Sequence, residues 1–360
     1  MQSNTNDWPT YLWSDVDWKA LRTLRERFLQ FDPREAKSSE PVEPTEPGTI
    51  VEAIKEKEPD RSDYWTSVND LKSYDFTFGE RIGWKWDTVL AELKTRGWTP
   101  PTGTVLDWGC GTGIAGRRVT AAWPDAVRKL TPWDRSGRAR DFAVDRGREA
   151  FPHTDVRAAT GDRPPCDLLV ISHVINELTP EALEQLIAAV EHAQAVLWVE
   201  PGTSDVSRKL IAVRERLRGS FRIVAPCTHA LACPMLAAGN ERHWCHHFAK
   251  IPGYVHVDSG WGRFSATMQI DLSTLPFSFL VLDKRPAAMS PAPEASRVIG
   301  RARYYKGYAK ALCCQSDGLR ELTLAKRAAP ELLKDMKKNP GSLYRWDRDG
   351  DNIMGGERLF

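Results

Sequence analysis

Asp107-Trp108-Gly109-Cys110-Gly111-Thr112-Gly113 sets an acid and three alternating glycines directly after the apolar pair Val105-Leu106. Glycines let a chain turn sharply and leave room for a ligand against the backbone. The helix expected next offers unpaired N–H groups at its start. That chemistry suits a nucleotide held across a strand, a turn and a helix. The spacing differs from the G-x-G-x-x-G of dinucleotide binding. A second acid, Asp134, follows Gly113 by 21 residues, where a carboxylate ending a second strand receives ribose hydroxyls.

Sulfur forms the other constellation. Cys227, Cys233 and Cys245 fall within nineteen residues, in a loop with Pro226 and Pro234, and Cys313-Cys314 lies far along the chain. Seven cysteines in a chain expected to be cytosolic do not suggest a disulfide framework. Three thiols with a fourth suit an iron–sulfur cluster or zinc, and His229, His243, His246 and His247 keep a mixed Cys-His zinc site open.

The elements that must position these groups alternate. Strands are expected at 104–108, 129–133, 155–159, 166–172, 195–199, 221–225 and 277–282, with helices at 113–122, 137–149, 180–193 and 204–217. Apolar runs of this length separated by amphipathic helices imply a parallel sheet covered on both faces. Ligands bind at the carboxyl ends of such strands. Upstream, 13–31 reads as an amphipathic helix, and 68–96 as helical in two pieces around Phe76–Gly79, an aromatic layer over the sheet. Downstream, 295–327 reads as short strands and 330–338 as a helix.

The resulting division is an N-terminal helix and mobile acidic arm over 1–62, a helical layer over 63–100, an α/β domain over 101–285 with a cysteine-rich insertion at 226–248, a basic β element and helix over 286–346, and a loose tail over 347–360. The net charge of +2 hides an asymmetry. Residues 31–64 carry five basic and ten acidic side chains, whereas 284–348 carry fifteen basic and six acidic. A basic C-terminal third points to a polyanionic partner. With 41% apolar and 27% charged residues, no apolar run of spanning length and no basic-then-apolar start, the chain is expected to be soluble and cytoplasmic.

The D-x-G-x-G-x-G run resembles motif I of S-adenosylmethionine-dependent methyltransferases. Further segments follow in order: Ser172-His173-Val174-Ile175-Asn176-Glu177-Leu178, then Pro226-Cys227-x-His229, Cys233-Pro234, Trp244-Cys245-His246 and Cys314-x-x-Asp317-Gly318. Together they resemble the methyltransferase-like family associated with the small ribosomal subunit, known from mitochondria and with bacterial relatives. The resemblance covers about residues 63–345. It implies an α/β, Rossmann-like seven-strand methyltransferase sheet with an N-terminal helical layer, a cysteine-rich metal loop and a small basic C-terminal β element. It implies a cofactor site of Asp107, Gly109, Gly111, Gly113, Asp134, Asp162 and Ser172, with Asp162 reaching the adenine. It also implies a four-iron cluster on Cys227, Cys233, Cys245 and Cys314, with Cys313 competing for the fourth place.

Methyl transfer from a sulfonium needs alignment more than acid–base chemistry. The loop after the fourth strand commonly meets the substrate, so His173, Asn176 and Glu177 are the catalytic candidates, with His173 as a possible base. Three functions compete: a methyltransferase acting on small-subunit ribosomal RNA or its assembly intermediate, a non-catalytic assembly factor binding that RNA, and a small-molecule methyltransferase. The basic third and the metal loop disfavour the last.

Overall fold

Asp17 starts the first helix by accepting the N–H groups of Lys19 and Ala20 at 3.0 and 2.9 Å. Helix α1 spans Trp18–Leu29. Ser67 and Asp70 cap the second reciprocally: Ser67 Oγ accepts from the Asp70 N–H, and Asp70 Oδ2 from the Ser67 N–H. Helix α2 (Val68–Tyr74) runs through a π-helical turn, Asp75–Gly79, into α3 (Glu80–Thr95). The expected interruption near 76–79 is therefore a π turn rather than a gap, of the kind found at functional sites.

The structure, a computed structural model, describes residues 13–29, 65–161, 165–286 and 294–359, with the backbone alone at 27–29. The acidic arm and Asp162 lie outside the described residues. The chain divides into two units. One holds the residues up to Asp87, Pro101–His192 and Lys250–Thr274; the other holds Thr88–Pro100, Ala193–Ala249 and the chain from Leu275.

In the first unit, β1 (Gly103–Trp108), β2 (Val127–Trp133), β3 (Asp155–Val156) and β4 (Leu168–Ser172) are all parallel. Their order is β3-β2-β1-β4, with Val105 opposite Leu130 on one side and Leu168 on the other. Helices α4 (Ile114–Ala122), α5 (Gly137–Ala150) and α6 (Pro180–His192) connect or follow them. Ser136 caps α5 by accepting the Ala139 N–H, and Thr179 caps α6 by accepting the Ala182 N–H. Strand order reverses between β1 and β4, the switch point at which open α/β sheets bind ligands.

After the Thr88–Pro100 segment, the second unit continues with β5 (Ala195–Pro201), α7 (Ser204–Leu217), β6 (Arg222–Ala225) and β7 (His247–Phe248). Helix α8 (Ser259–Met268), capped by Asp258, belongs to the first unit. The next strand of the second unit, β8 (Pro276–Asp283), is antiparallel to β5, β6 and β7. This corrects the expectation of parallel strands throughout. A strand buried on both faces reads as the same apolar run in either direction.

The C-terminal segment is a closed barrel. It contains β9 (Ala295–Val298), the short β10 (Arg303–Tyr304), β11 (Tyr308–Gln315), β12 (Gly318–Ala325), α9 (Pro330–Lys338), β13 (Leu343–Asp349) and β14 (Asn352–Arg358). β9 pairs with both β11 and β13, which closes the circuit β9-β11-β12-β14-β13. Ala309, Ala311, Cys313, Leu322, Leu324, Met336, Tyr344 and Ile353 fill it. The loose tail expected from Asp347 is thus overturned. Asp349-Gly350-Asp351 is a hairpin turn, with Gly350 at φ 57°, and Ile353 returns to the core.

Candidate functional site

Asp107 ends β1 buried, and its Oδ2 accepts the Gly116 N–H at 2.9 Å. It fastens the strand to the first turn of α4. Burial raises its carboxyl to about 7, more than the Gly116 hydrogen bond lowers it. Gly109, Gly111 and Gly113 all take positive φ, at 66°, 50° and 76°. Their roles differ. A Cβ on Gly109 would stand 2.6 Å from Val174 Cγ1, and one on Gly113 2.8 Å from Ala143 Cβ. A Cβ on Gly111 would meet nothing within 4 Å. Gly113 therefore lets α4 approach α5, while Gly111 leaves ligand space.

That space is a cavity of about 340 Å³ bounded by Gly109–Thr112, Trp133–Arg135 and Ser172–Val174. It lies at the carboxyl ends of β1, β2 and β4. Trp108 and Trp133, opposite one another in register, stack at 4.8 Å and 20° and line it. Asp134 Oδ2 accepts the Gly111 N–H and Oδ1 the Ser136 N–H, each at 2.9 Å, so its carboxylate is fixed beside the loop. Below the loop, Asp75 of the π turn accepts from Arg117 Nη2 at 2.6 Å and from Arg146 Nε at 3.4 Å. Arg117 also donates to the Thr112 carbonyl. This buried triad anchors the glycine loop to the helical layer. The sequence reading placed no role on it, since its members come from three separated segments.

Ser172 and His173 sit at the end of β4, with His173 at φ 58°. Lys85 Nζ lies 2.8 Å from His173 Nε2, and His173 Nδ1 lies 3.1 Å from Ser172 Oγ. An ammonium only donates. Nε2 must therefore accept, and Nδ1 carries the proton and donates to Ser172. Trp86 Nε1 also donates to Ser172 Oγ, at 3.0 Å. With both lone pairs taken, the Ser172 hydroxyl has its own proton to offer. Burial, and secondly the Lys85 charge, hold His173 well below the usual histidine range, so it is neutral. As arranged it is an acceptor for Lys85 and not a free base. Glu177 is exposed on the cavity rim, and Asn176 is half-buried in the same turn, off the cavity wall. Asp107 and Gly113 also stand off the wall. The structure thus gathers Gly109, Gly111, Asp134, Ser172, His173 and Glu177 around one cavity. Trp108 and Trp133 join them on the wall, with Lys85 and Trp86 behind His173 and Ser172; the aromatic spacing signalled packing but not this wall.

The cysteines of the second unit are brought together on α7. Arg214 Nε donates to Cys227 Sγ at 3.2 Å, and its Nη2 donates to the His229 carbonyl at 3.0 Å. Glu215 accepts the Cys233 N–H at 3.2 Å, and the Cys245 carbonyl accepts from Ser207 and Ser278. Cys233, Cys245 and Cys314 pack around Ile211, Met235 and Ile299. Burial pushes the Cys233 thiol to about 12 and raises Cys245 and Cys314 further, with neighbouring thiols adding to each. Side chains alternate along β11, so Cys313 points into the barrel core and Cys314 outward to the other three. Among the described residues no group of three or more His, Cys, Asp or Glu is spaced to hold a metal ion.

The family profile described as mitochondrial small ribosomal subunit Rsm22 matches residues 87–352. The chain belongs to the Rsm22 family. The matched span includes the glycine loop, the Ser172–Leu178 segment, all four candidate cysteines and most of the barrel. No curated protein matches the chain. Among solved structures, it is similar to a Pyrococcus horikoshii protein assigned by inference as an RNA methyltransferase, at 12% identity over 65% of this chain and 97% of that one, TM-score 0.36. It is also similar to the plantazolicin methyltransferase BamL with bound S-adenosylhomocysteine, at 12% identity over 59% and 88%, TM-score 0.35. An S-adenosylmethionine-dependent methyltransferase from Aquifex aeolicus matches at 11% identity over 45% and 92%, TM-score 0.33. Likeness at this level bears on neither reaction nor substrate. Among the described residues, no helix of this Rsm22 family member is long and apolar enough to cross a membrane.

Proposed function

We propose that this chain is an S-adenosylmethionine-dependent methyltransferase acting on small-subunit ribosomal RNA or its assembly intermediate, in the cytoplasm. The observation that carries the reading is the cavity at the β1/β4 switch point, where Gly111 leaves open space beside a fixed Asp134 carboxylate. The donor set fits the cofactor. Asp134 would receive ribose hydroxyls, the Trp108–Trp133 wall would pack an aromatic base, and the Ser172 hydroxyl would donate to an acceptor on cofactor or substrate. Asp162 is assigned to the adenine. The bound cofactor supplies an activated methyl group; the residues here align it and exclude water. Glu177 on the rim, with Asn176 in the same turn but off the wall, is assigned to the substrate side. The family's name ties it to the small ribosomal subunit, and fifteen basic against six acidic residues over 284–348 suit an RNA partner.

The engagement of His173 by Lys85 favours a second reading, a non-catalytic assembly factor that binds RNA and cofactor. Incubation of undermethylated small-subunit RNA with protein and methyl-labelled cofactor separates the two. Label in the RNA, absent with Gly111→Arg, supports the enzyme. Cofactor and RNA binding without transfer supports the assembly factor.

Four thiols are a suitable donor set for a metal centre, and Cys233, Cys245 and Cys314 share one cluster while Cys227 takes a hydrogen bond from Arg214, although as placed they are not spaced to hold a single ion. A single zinc ion would need its sulfurs about 4 Å apart, given bonds of about 2.3 Å. A four-iron cluster spreads its ligands wider and is the form we assign to Cys227, Cys233, Cys245 and Cys314, with zinc as the alternative. When bound it would supply a crosslink between the 226–248 loop and β11.

A further inference from the structure

The barrel has a specific topology. Its first three strands, β9, β11 and β12, form an antiparallel meander. A helix follows the third strand, β14 runs parallel to β12, and β13 closes against β9. That is the five-stranded Greek-key circuit 1-2-3-5-4-1 of the OB fold. Fold alone assigns no ligand. In this architecture, however, the outer face of the second and third strands is where oligonucleotides lie.

Here that face is divided. Tyr308, Lys310, Leu312 and Cys314 point outward from β11, with Ala325, Thr323, Glu321 and Leu319 opposite them. The Leu312, Cys314 and Leu319 end is covered by Met235, Cys233 and Cys245. The other end is open. It forms a groove of about 750 Å³ walled by Gly307, Tyr308, Thr323, Ala325, Lys326 and Arg327. Tyr305 stacks on Tyr308 at 4.7 Å and 14°, and both remain exposed, at 48% and 37%. The pair is preformed. The Tyr305 N–H donates to the Tyr308 carbonyl, and the Lys326 N–H donates to the Gly307 carbonyl. Among the described residues, Lys306, Lys326 and Arg327 are exposed and make no ion pair, whereas the nearby Glu321 is neutralised by Lys310 and Arg303.

We infer that this groove binds a single-stranded RNA segment, with bases stacking on the Tyr305–Tyr308 pair and Lys306, Lys326 and Arg327 meeting phosphates. Two exposed, stacked tyrosines have no use for a duplex, whose bases are already stacked. Unpaired cations exclude an acidic-sided groove for cationic ligands. The inference rests on the RNA reading above and gives it a surface and a strand state.

The test uses the full chain and a fluorescent single-stranded pyrimidine RNA of about ten nucleotides, within the site size of one such fold. Tyr305→Ala and Tyr308→Ala should each weaken binding by about 5- to 150-fold, the range for losing one base stack, and Tyr308→Phe should stay within about threefold. Lys326→Gln with Arg327→Gln should lessen the log–log salt slope by about 1.4, two phosphate contacts on a single strand. A 4-thiouridine oligonucleotide should cross-link within 304–308 or 323–327. Equal affinity for a duplex of the same length, competition by polyglutamate as effective as by RNA, tyrosine variants that bind like wild type, or cross-links confined to other segments would overturn the inference. Should Tyr308→Ala fail to fold, Tyr305→Ala in the exposed turn and the cross-link map decide. Tyrosine-dependent binding without methyl transfer would sink the enzyme and leave the groove. Methyl transfer with indifferent tyrosine variants would do the reverse.

Discussion

Gly111 and Gly113 look equivalent as sequence, yet substituting them should fail in different ways. Both have positive φ, so alanine at either costs about 1–2 kcal/mol for the left-handed backbone. At Gly113 the new methyl would also lie 2.8 Å from Ala143 Cβ and 3.3 Å from its Cα, between two packed helices. Overpacking of that kind costs about 1–3 kcal/mol. The total for Gly113→Ala is roughly 2–5 kcal/mol. At Gly111 the methyl meets nothing, so Gly111→Ala should lose only the backbone contribution. Gly111→Arg should keep a folded protein and abolish cofactor binding, because its side chain fills the cavity. Urea unfolding followed by fluorescence, with calorimetric titration of S-adenosylmethionine, measures both. Equal stability of the two alanine variants would refute the packing argument. Wild-type cofactor affinity in Gly111→Arg would refute the location of the site.

Asp134→Ala should weaken cofactor binding by about 1–3 kcal/mol in the same titration, the scale for hydrogen bonds to a charged group. Asp107 has a folded value near 7 against an unfolded value near 4, so the stability it lends is full at low pH and is lost as pH rises through 7. Asp107→Asn should therefore gain on wild type between pH 4 and 8 by on the order of 4 kcal/mol in unfolding experiments; a constant difference would refute the buried neutral acid. Anaerobically prepared protein should be brown with about four irons per chain, bleached by Cys227→Ser, and bleached more by Cys314→Ser than by Cys313→Ser, read by absorbance and metal analysis. A colourless protein with one zinc would exclude the cluster.

The glycine loop, the acid 21 residues on and the alternating apolar runs made the first unit legible, because local turn chemistry and periodicity encode them directly. Strand direction was not encoded: β8 is apolar whichever way it runs. The tail from Asp347 reads as loose because Gly and Asp are turn formers, but a turn joining two strands has the same composition. Helix α8 has glycines at 260 and 262 and owes its start to the Asp258 cap. The cavity's outline was readable, while its electrostatic state was not. Nothing local to Ser172-His173 indicates that Lys85, 88 residues earlier, takes the imidazole's acceptor nitrogen. Likewise, which of Cys313 and Cys314 faces the other cysteines depends on the facing of β11, which puts Cys313 in the barrel core and Cys314 beside Cys233 and Cys245.

Mass spectrometry of small-subunit ribosomal RNA from cells with and without this protein tests the central claim most directly. The account predicts one methylated nucleotide that disappears without the protein, returns with wild type and does not return with Gly111→Arg. Identical methylation in all three strains would contradict it.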